Sequence, residues 1–183
     1  MSEETRTELG PPSNLAAGLI KALRPRQWVK NLLVLVAPLA ALGGGVEYDY
    51  RDIGYQVTIA FVVFCMASSS IYLINDARDV EADRAHPTKQ YRPIAAGVVP
   101  EWLAYVVAVV LGAASLIISW LLTPNLALVM AVYLAIQLAY CFGLKHQAVL
   151  DICIVSSGFL IRAIAGGVAA AIPLSQWFLL VMA

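Results

Sequence analysis

Five apolar runs, at about residues 30–46, 55–75, 100–122, 125–143 and 148–170, limit what this chain can fold into. Each is close to the ~20 residues a helix needs to cross the hydrocarbon of a bilayer. Inside lipid every backbone N–H and C=O must be satisfied within the segment, which a helix does. The expected fold is therefore an all-α integral membrane bundle. A soluble all-α protein would need polar helix faces that these runs lack. Only 13% of residues are charged, against roughly 25% in an ordinary soluble domain.

A sixth run opens near Pro173 and is still apolar at Ala183. Residues 15–183 thus read as the first part of one membrane domain, with about five to six helices present and the sixth cut short. The polar segment 1–14, with Gly10, Pro11 and Pro12, is expected to be a disordered tail. It has no charged n-region followed by an apolar h-region, so it does not read as a signal peptide. Residues 15–29, with Lys21, Arg24, Arg26 and Trp28, are expected to form a short interfacial helix. Cys65, Cys141 and Cys153 all fall in apolar runs, lack metal-ligand spacing, and read as small core residues.

The formal net charge is +0, which excludes a global basic field for nucleic acid. The local distribution is more informative. Lys21, Arg24, Arg26 and Lys30 flank the first run. Arg78, Arg84, Lys89 and Arg92 lie in the 76–97 loop, and Lys145 with His146 in the 143–147 loop. These alternate with a mainly acidic 47–54 loop and an uncharged turn at 123–125. The positive-inside rule then puts the N-terminus and the basic loops on the cytoplasmic side of the plasma membrane.

A third of the charged residues crowd into NDARDVEADRAHPTKQYRP, residues 75–93, between two apolar runs. Asn75, Asp79 and Asp83 recur every four residues, and so would line one face of a helix. Asp76 sits one turn from Asp79. Carboxylates this close repel one another unless a counterion intervenes. An all-oxygen set without His or Cys at matching spacing favours Mg²⁺, which commonly joins protein carboxylates to substrate phosphates. After a turn at His86-Pro87 come Lys89 and Arg92, whose charges suit phosphate. Pro93 predicts extended backbone at Arg92. Acids for a metal followed by bases for phosphate make up a diphosphate site; the alternative is a solvated loop anchoring helix ends.

Other polar residues bear on the same site. Arg162 lies within the fifth run, where an intramembrane charge is costly and marks a functional site by default. Its alternative is a structural pair with Asp151, or snorkelling to the interface. Lys30 and Lys145 stand at cytoplasmic helix ends, as topology anchors or phosphate ligands. Tyr72, one turn before Asp76, reads as an interfacial anchor or as a hydroxyl directed at the pocket. Ser68-Ser69-Ser70 and Ser156-Ser157 lack His or Asp partners and read as helix-packing residues. Gly166-Gly167 reads as a point of close helix contact.

Asn75-Asp76-x-x-Asp79-x-x-x-Asp83, followed by Arg92-Pro93 and Gly97, resembles the first aspartate-rich motif of the UbiA superfamily of membrane prenyltransferases. RPRQWVKNLLVLVAPLA (24–40), HPTKQYRPIAAG (86–97) and YCFGLKHQAVLD (140–151) resemble the branch of that superfamily that moves phosphoribosyl groups. The likeness extends over nearly the whole chain after residue 20. It implies a UbiA-like bundle of nine transmembrane helices with a cavity open to the cytoplasm. It also implies transfer of phosphoribosyl from 5-phosphoribosyl 1-diphosphate to a polyprenyl (decaprenyl) phosphate, for cell-wall arabinan synthesis. By the same likeness Asn75 and Asp79 would hold Mg²⁺, and Lys30, Tyr72, Lys89, Lys145 and Arg162 the donor, with Arg92 beside them. Asp76 and Asp83 are the catalytic candidates, Asp83 through a second ion or its water shell. The rival reading is an ordinary member moving a prenyl group from prenyl diphosphate to an aromatic acceptor. A transporter would instead set its acids on opposing helices near mid-membrane. A homo-oligomer is compatible with either reading.

Overall fold

The computed structural model describes residues 10–42, 49–143 and 148–182. Its first helix, α1 (Leu15–Leu23), is started by Asn14, whose side chain accepts from the backbone N–H of Ala17 at 2.8 Å. Arg24 ends it in the left-handed conformation, with φ 55°.

The first apolar run departs from expectation. Instead of one spanning α-helix over 30–46, the chain forms a 3-10 segment, Pro25–Leu35, and then α2 (Val36–Leu42). Residues 43–48, including Gly43-Gly44-Gly45, lie outside the described residues. Eleven residues is long for 3-10 geometry, and packing explains it. At three residues per turn, positions 28, 31 and 34 stack on one side. Trp28 donates its ring N–H to Ser69 Oγ at 3.0 Å, Asn31 is fully buried against Cys65 and Ser68, and Val34 is fully buried. Trp28 therefore packs against the bundle rather than serving only as an interfacial anchor.

The central helix is α3 (Tyr50–Arg78), 29 residues long, capped by Asp49 accepting from the N–H groups of Arg51 and Asp52. It packs against α1, the 3-10 segment and every later long helix. Its serine triplet addresses three neighbours at once. Ser68 accepts from Asn31 (3.3 Å), Ser69 donates to Leu23 O (2.8 Å), and Ser70 donates to Ala108 O (2.7 Å). The packing role expected of these small residues is thus reinforced by interhelical hydrogen bonds.

A short α4 (Val80–Arg84) and a 3-10 turn at Lys89–Tyr91 lead to α5 (Glu101–Leu122). Ala104, Ala108, Gly112, Ser115 and Ser119 form its buried stripe, and small side chains here let α5 lie close to α3. Its opposite face exposes Trp102, Val109, Trp120 and Leu121. Tryptophans near both ends of an apolar face fit the two interfaces of a membrane. Thr123 caps α6 (Pro124–Phe142), accepting from Leu126 N–H at 3.1 Å. Next come α7 (Ala148–Ala169) and α8 (Gln176–Met182).

Among the described residues four helices are long and apolar enough to cross a membrane: Tyr50–Arg78, Glu101–Leu122, Pro124–Phe142 and Ile152–Ala169. The expected all-α membrane bundle is present. Cys65 and Cys141 are buried as expected, whereas Cys153 is exposed on the outer face of α7, a position its apolar neighbourhood in sequence does not distinguish.

Candidate active site

The charged stretch gathers at one end of the bundle, where α3 ends, α6 ends and α1 hands over to the 3-10 segment. The expected single helical face over 75–83 is interrupted. Asp79 has φ −92° and ψ 11°, outside the helical well, and separates α3 from α4. The backbone bonds Asp79 N–H to Asn75 O (3.0 Å) and Asp83 N–H to Asp79 O (2.8 Å) persist across the junction.

The side chains then divide. Asp76 and Asp83 are buried and turn to arginines. Arg24 Nη2 donates to both Asp76 oxygens, at 2.6 and 2.8 Å. Arg92 Nη1 bridges Asp76 Oδ1 (3.2 Å) and Asp83 Oδ2 (2.7 Å). Arg92 is extended, φ −63° and ψ 143°, as Pro93 predicts. The guanidinium carbon of Arg24 also lies 4.8 Å from the ring centroid of half-buried Tyr72.

This corrects one step of the sequence argument. Among the described residues no three His, Cys, Asp or Glu side chains converge as a metal site. Repulsion between Asp76 and Asp83 is relieved by two guanidiniums and does not by itself call for a cation. Asn75 and Asp79 are both half-buried, and the bonds of Arg24 and Arg92 go to Asp76 and Asp83 instead. Asn75 Oδ1 is 3.8 Å from Cys141 Sγ at the end of α6. Two hard oxygen donors one turn apart fit Mg²⁺, which keeps few protein ligands and completes its shell with water and substrate phosphate.

The cluster borders a cavity of about 940 Å³, lined by Lys21, Arg24, Arg26, Asp76, Tyr91 and Arg92 among others. From α3 the cavity is lined by Asp76, so cavity size alone does not mark Asn75 and Asp79 as metal candidates. Lys89 is exposed on its 3-10 turn, which His86 Nδ1 caps by accepting from Thr88 N–H at 3.3 Å. Lys30 is exposed as well. Lys145 and His146 lie outside the described residues, but the helix end beside them is defined. Arg78 donates to Cys141 O at 2.7 Å and stacks on the Phe142 ring at 4.3 Å. The end of α6 at Cys141 and Phe142 therefore lies beside Asn75 and Arg78.

Arg162 is set deeper. Its partners reach α3 at Cys65 and Ser68 through Asn31, and Ser68 precedes Asn75 by about 10 Å of helix rise. The guanidinium is buried and donates to Asn31 Oδ1 (2.8 Å), Gly158 O (2.6 Å) and Tyr133 OH (3.0 Å), all neutral. The Asp151 side chain lies outside the described residues. Arg24, Asn31 and Tyr133 are the polar residues that sequence reasoning did not assign to the site. Asn31 carried one available signal, an amide within an apolar run.

Comparison with known proteins adds the lineage. A model of the UbiA prenyltransferase family matches residues 31–183. The chain is 79% identical over 183 residues to a protein of Mycolicibacterium smegmatis named decaprenyl-phosphate phosphoribosyltransferase, covering all of this chain and 58% of that protein. A Mycobacterium tuberculosis protein of the same name is 73% identical, covering all of this chain and 60% of its own length. One from Corynebacterium glutamicum is 64% identical over 175 residues, covering 94% of this chain and 52% of its own length. The chain thus spans between about half and three-fifths of the length of these relatives.

Proposed function

The chain belongs to the UbiA prenyltransferase family, and from that premise we propose that it serves a membrane phosphoribosyltransferase. The reaction moves the 5-phosphoribosyl group of 5-phosphoribosyl 1-diphosphate to a polyprenyl phosphate, decaprenyl phosphate in the first instance, and releases diphosphate. The product would feed arabinan precursors of the cell wall. The observation that carries this reading is the 73–79% identity, over the whole chain, to mycobacterial proteins bearing that enzyme's name. The N-terminus and the charged end of the bundle face the cytoplasm in this reading, as the distribution of Lys and Arg supports.

A phosphate oxygen of the acceptor attacks C1 of the ribosyl group while the C1–O bond to diphosphate breaks. The acceptor needs no strong base, because a phosphomonoester has its second pKa near ~6 and is already anionic. The demand on the protein is to hold two anions together and to accommodate the charge of the departing diphosphate, which preorganised cations do well. Asn75 and Asp79 would hold Mg²⁺, which when bound supplies charge neutralisation at the diphosphate. Lys30, Lys89, Lys145 and Arg162 supply positive charge to the phosphates, and Tyr72 a hydroxyl. Asp76 and Asp83 act by holding Arg24 and Arg92 in place, a positioning role rather than one on the reacting atoms. The lipid chain approaches along the apolar bundle and the donor from the aqueous side.

The test is incubation of the full-length protein with labelled 5-phosphoribosyl 1-diphosphate and decaprenyl phosphate in detergent or vesicles. Label appearing in a lipid-linked pentose phosphate is the expected result. Transfer from a prenyl diphosphate to an aromatic acceptor, with none from the phosphoribosyl donor, would replace this reading with the rival one.

A further inference from the structure

We infer that Asn31 is a positioning residue for the Arg162 guanidinium, holding it as an uncompensated cation that faces a phosphate of one of the two substrates. The inference rests on the phosphoribosyltransferase reading above and adds to it a residue and an electrostatic role.

The amide of Asn31 can sit only one way round. Arginine has N–H donors and no acceptor, so the atom 2.8 Å from Arg162 Nε is Oδ1, and Nδ2 must face Cys65 Sγ and Ser68 Oγ, both at 3.3 Å. Ser68 in turn donates to Cys65 O at 3.2 Å. The acceptor that fixes Arg162 is thus itself fixed by α3, in a fully buried position on the 3-10 segment. Gly166 supports the same approach. A Cβ there would collide with the backbone carbonyl of Val34, so glycine lets the 3-10 segment lie directly on α7, one turn beyond Arg162.

The choice of asparagine matters electrostatically. Aspartate has nearly the same shape and would form a stronger, charge-assisted bond to Nε. It would also cancel the guanidinium's charge in an apolar interior. The three acceptors present, an amide, a backbone carbonyl and a phenol, orient Arg162 and leave its charge whole. They use three of its five N–H groups among the described residues, so both Nη atoms keep a proton for a further acceptor. A buried cation held in this way, costly to maintain in a membrane protein, favours an anionic ligand. Phosphate is the anion that both substrates carry.

The test uses the full-length protein, with KM measured separately for 5-phosphoribosyl 1-diphosphate and for decaprenyl phosphate, and thermal unfolding in parallel. Asn31→Asp is expected to unfold at or above the wild-type temperature yet raise KM for one substrate by about tenfold or more, since a charged hydrogen bond to phosphate is weakened. Which KM moves identifies the phosphate. Arg162→Ala should raise the same KM. If Arg162→Ala raises a KM while Asn31→Asp leaves both within about twofold, the role given to Asn31 is wrong and that given to Arg162 stands. If Arg162→Ala moves neither, the phosphate role of Arg162 fails, and the inference with it. Should Asn31→Asp not fold, Ser68→Ala carries the test, because it removes an anchor of Asn31 without touching Arg162. A KM raised several-fold supports the inference, and an unchanged KM overturns it.

Discussion

Arg24 Nη2 donates to both carboxylate oxygens of Asp76, at 2.6 and 2.8 Å, joining positions 52 residues apart. The bond ties the end of α1 to the end of α3. It also accompanies an unusual backbone: Arg24 sits at φ 55°, a conformation that costs a side-chain-bearing residue about 1 kcal/mol or more. The ion pair, the cap from Arg24 N–H to Lys21 O and the stacking on Tyr72 offset that cost.

Asp76→Ala should therefore destabilise the full-length protein. It strands Arg24 and removes one of the two carboxylates held by Arg92. With both arginines partly solvated, the loss is expected to be about 2 kcal/mol. A drop in unfolding temperature in detergent checks this; an unchanged temperature would mean that the pair is not held in solution.

The division between Asp76 and Asp79 gives a contrast. In donor binding titrated with Mg²⁺, Asp79→Asn should raise the half-saturating metal concentration by roughly 10-fold or more, in the range seen when metal shells are altered. Asp76→Asn should shift it by less than about threefold, since that carboxylate faces arginines. Equal shifts would place both acids on the metal. Chelation of Mg²⁺ should abolish donor binding by the wild-type protein.

Gly166→Ala is expected to cost about 1–3 kcal/mol, because the added methyl meets the rigid backbone at Val34. Gly112→Ala should cost less, since its new methyl meets only the Ser70 side chain, its hydroxyl at 3.1 Å. Thermal unfolding of the two variants side by side ranks them. The reverse order would contradict the close approach of the 3-10 segment to α7.

Gly97 has φ 77°, and no atom lies within 4 Å of a Cβ built on it. Gly97→Ala therefore meets strain without collision and should cost about 1 kcal/mol. Any larger loss would point to a contact on the 93–99 turn, where Val99 N–H bonds Pro93 O at 3.0 Å.

Arg78→Ala should loosen the end of α6, since Arg78 both caps Cys141 O and covers Phe142. The adjoining loop carries Lys145. A rise of about threefold or more in donor KM, larger than any change in kcat, is the expected sign that the end of α6 serves the site. Unchanged kinetics would separate that helix end from the site.

Much of this protein is legible along the chain. Apolar length marks the spanning segments from about 55 onward, because a helix in lipid answers only to its own hydropathy and hydrogen bonds. The collection of charge at one end is equally local, since residues 75–93 lie between two such spans. The extended Arg92 follows from its proline, and the buried serines from the rule that close helices need small side chains. Other features are invisible at that range. A 3-10 segment replaced a spanning helix because Trp28, Asn31 and Val34 had to stack on α3 and approach Gly166. Asp76 and Asp83 met arginines because α1 and the 85–93 loop delivered two guanidiniums. Arg162 met Asn31 across 131 residues. A buried charge takes whichever partner the packed helices bring within about 3 Å, and no local pattern of hydropathy encodes which one that will be.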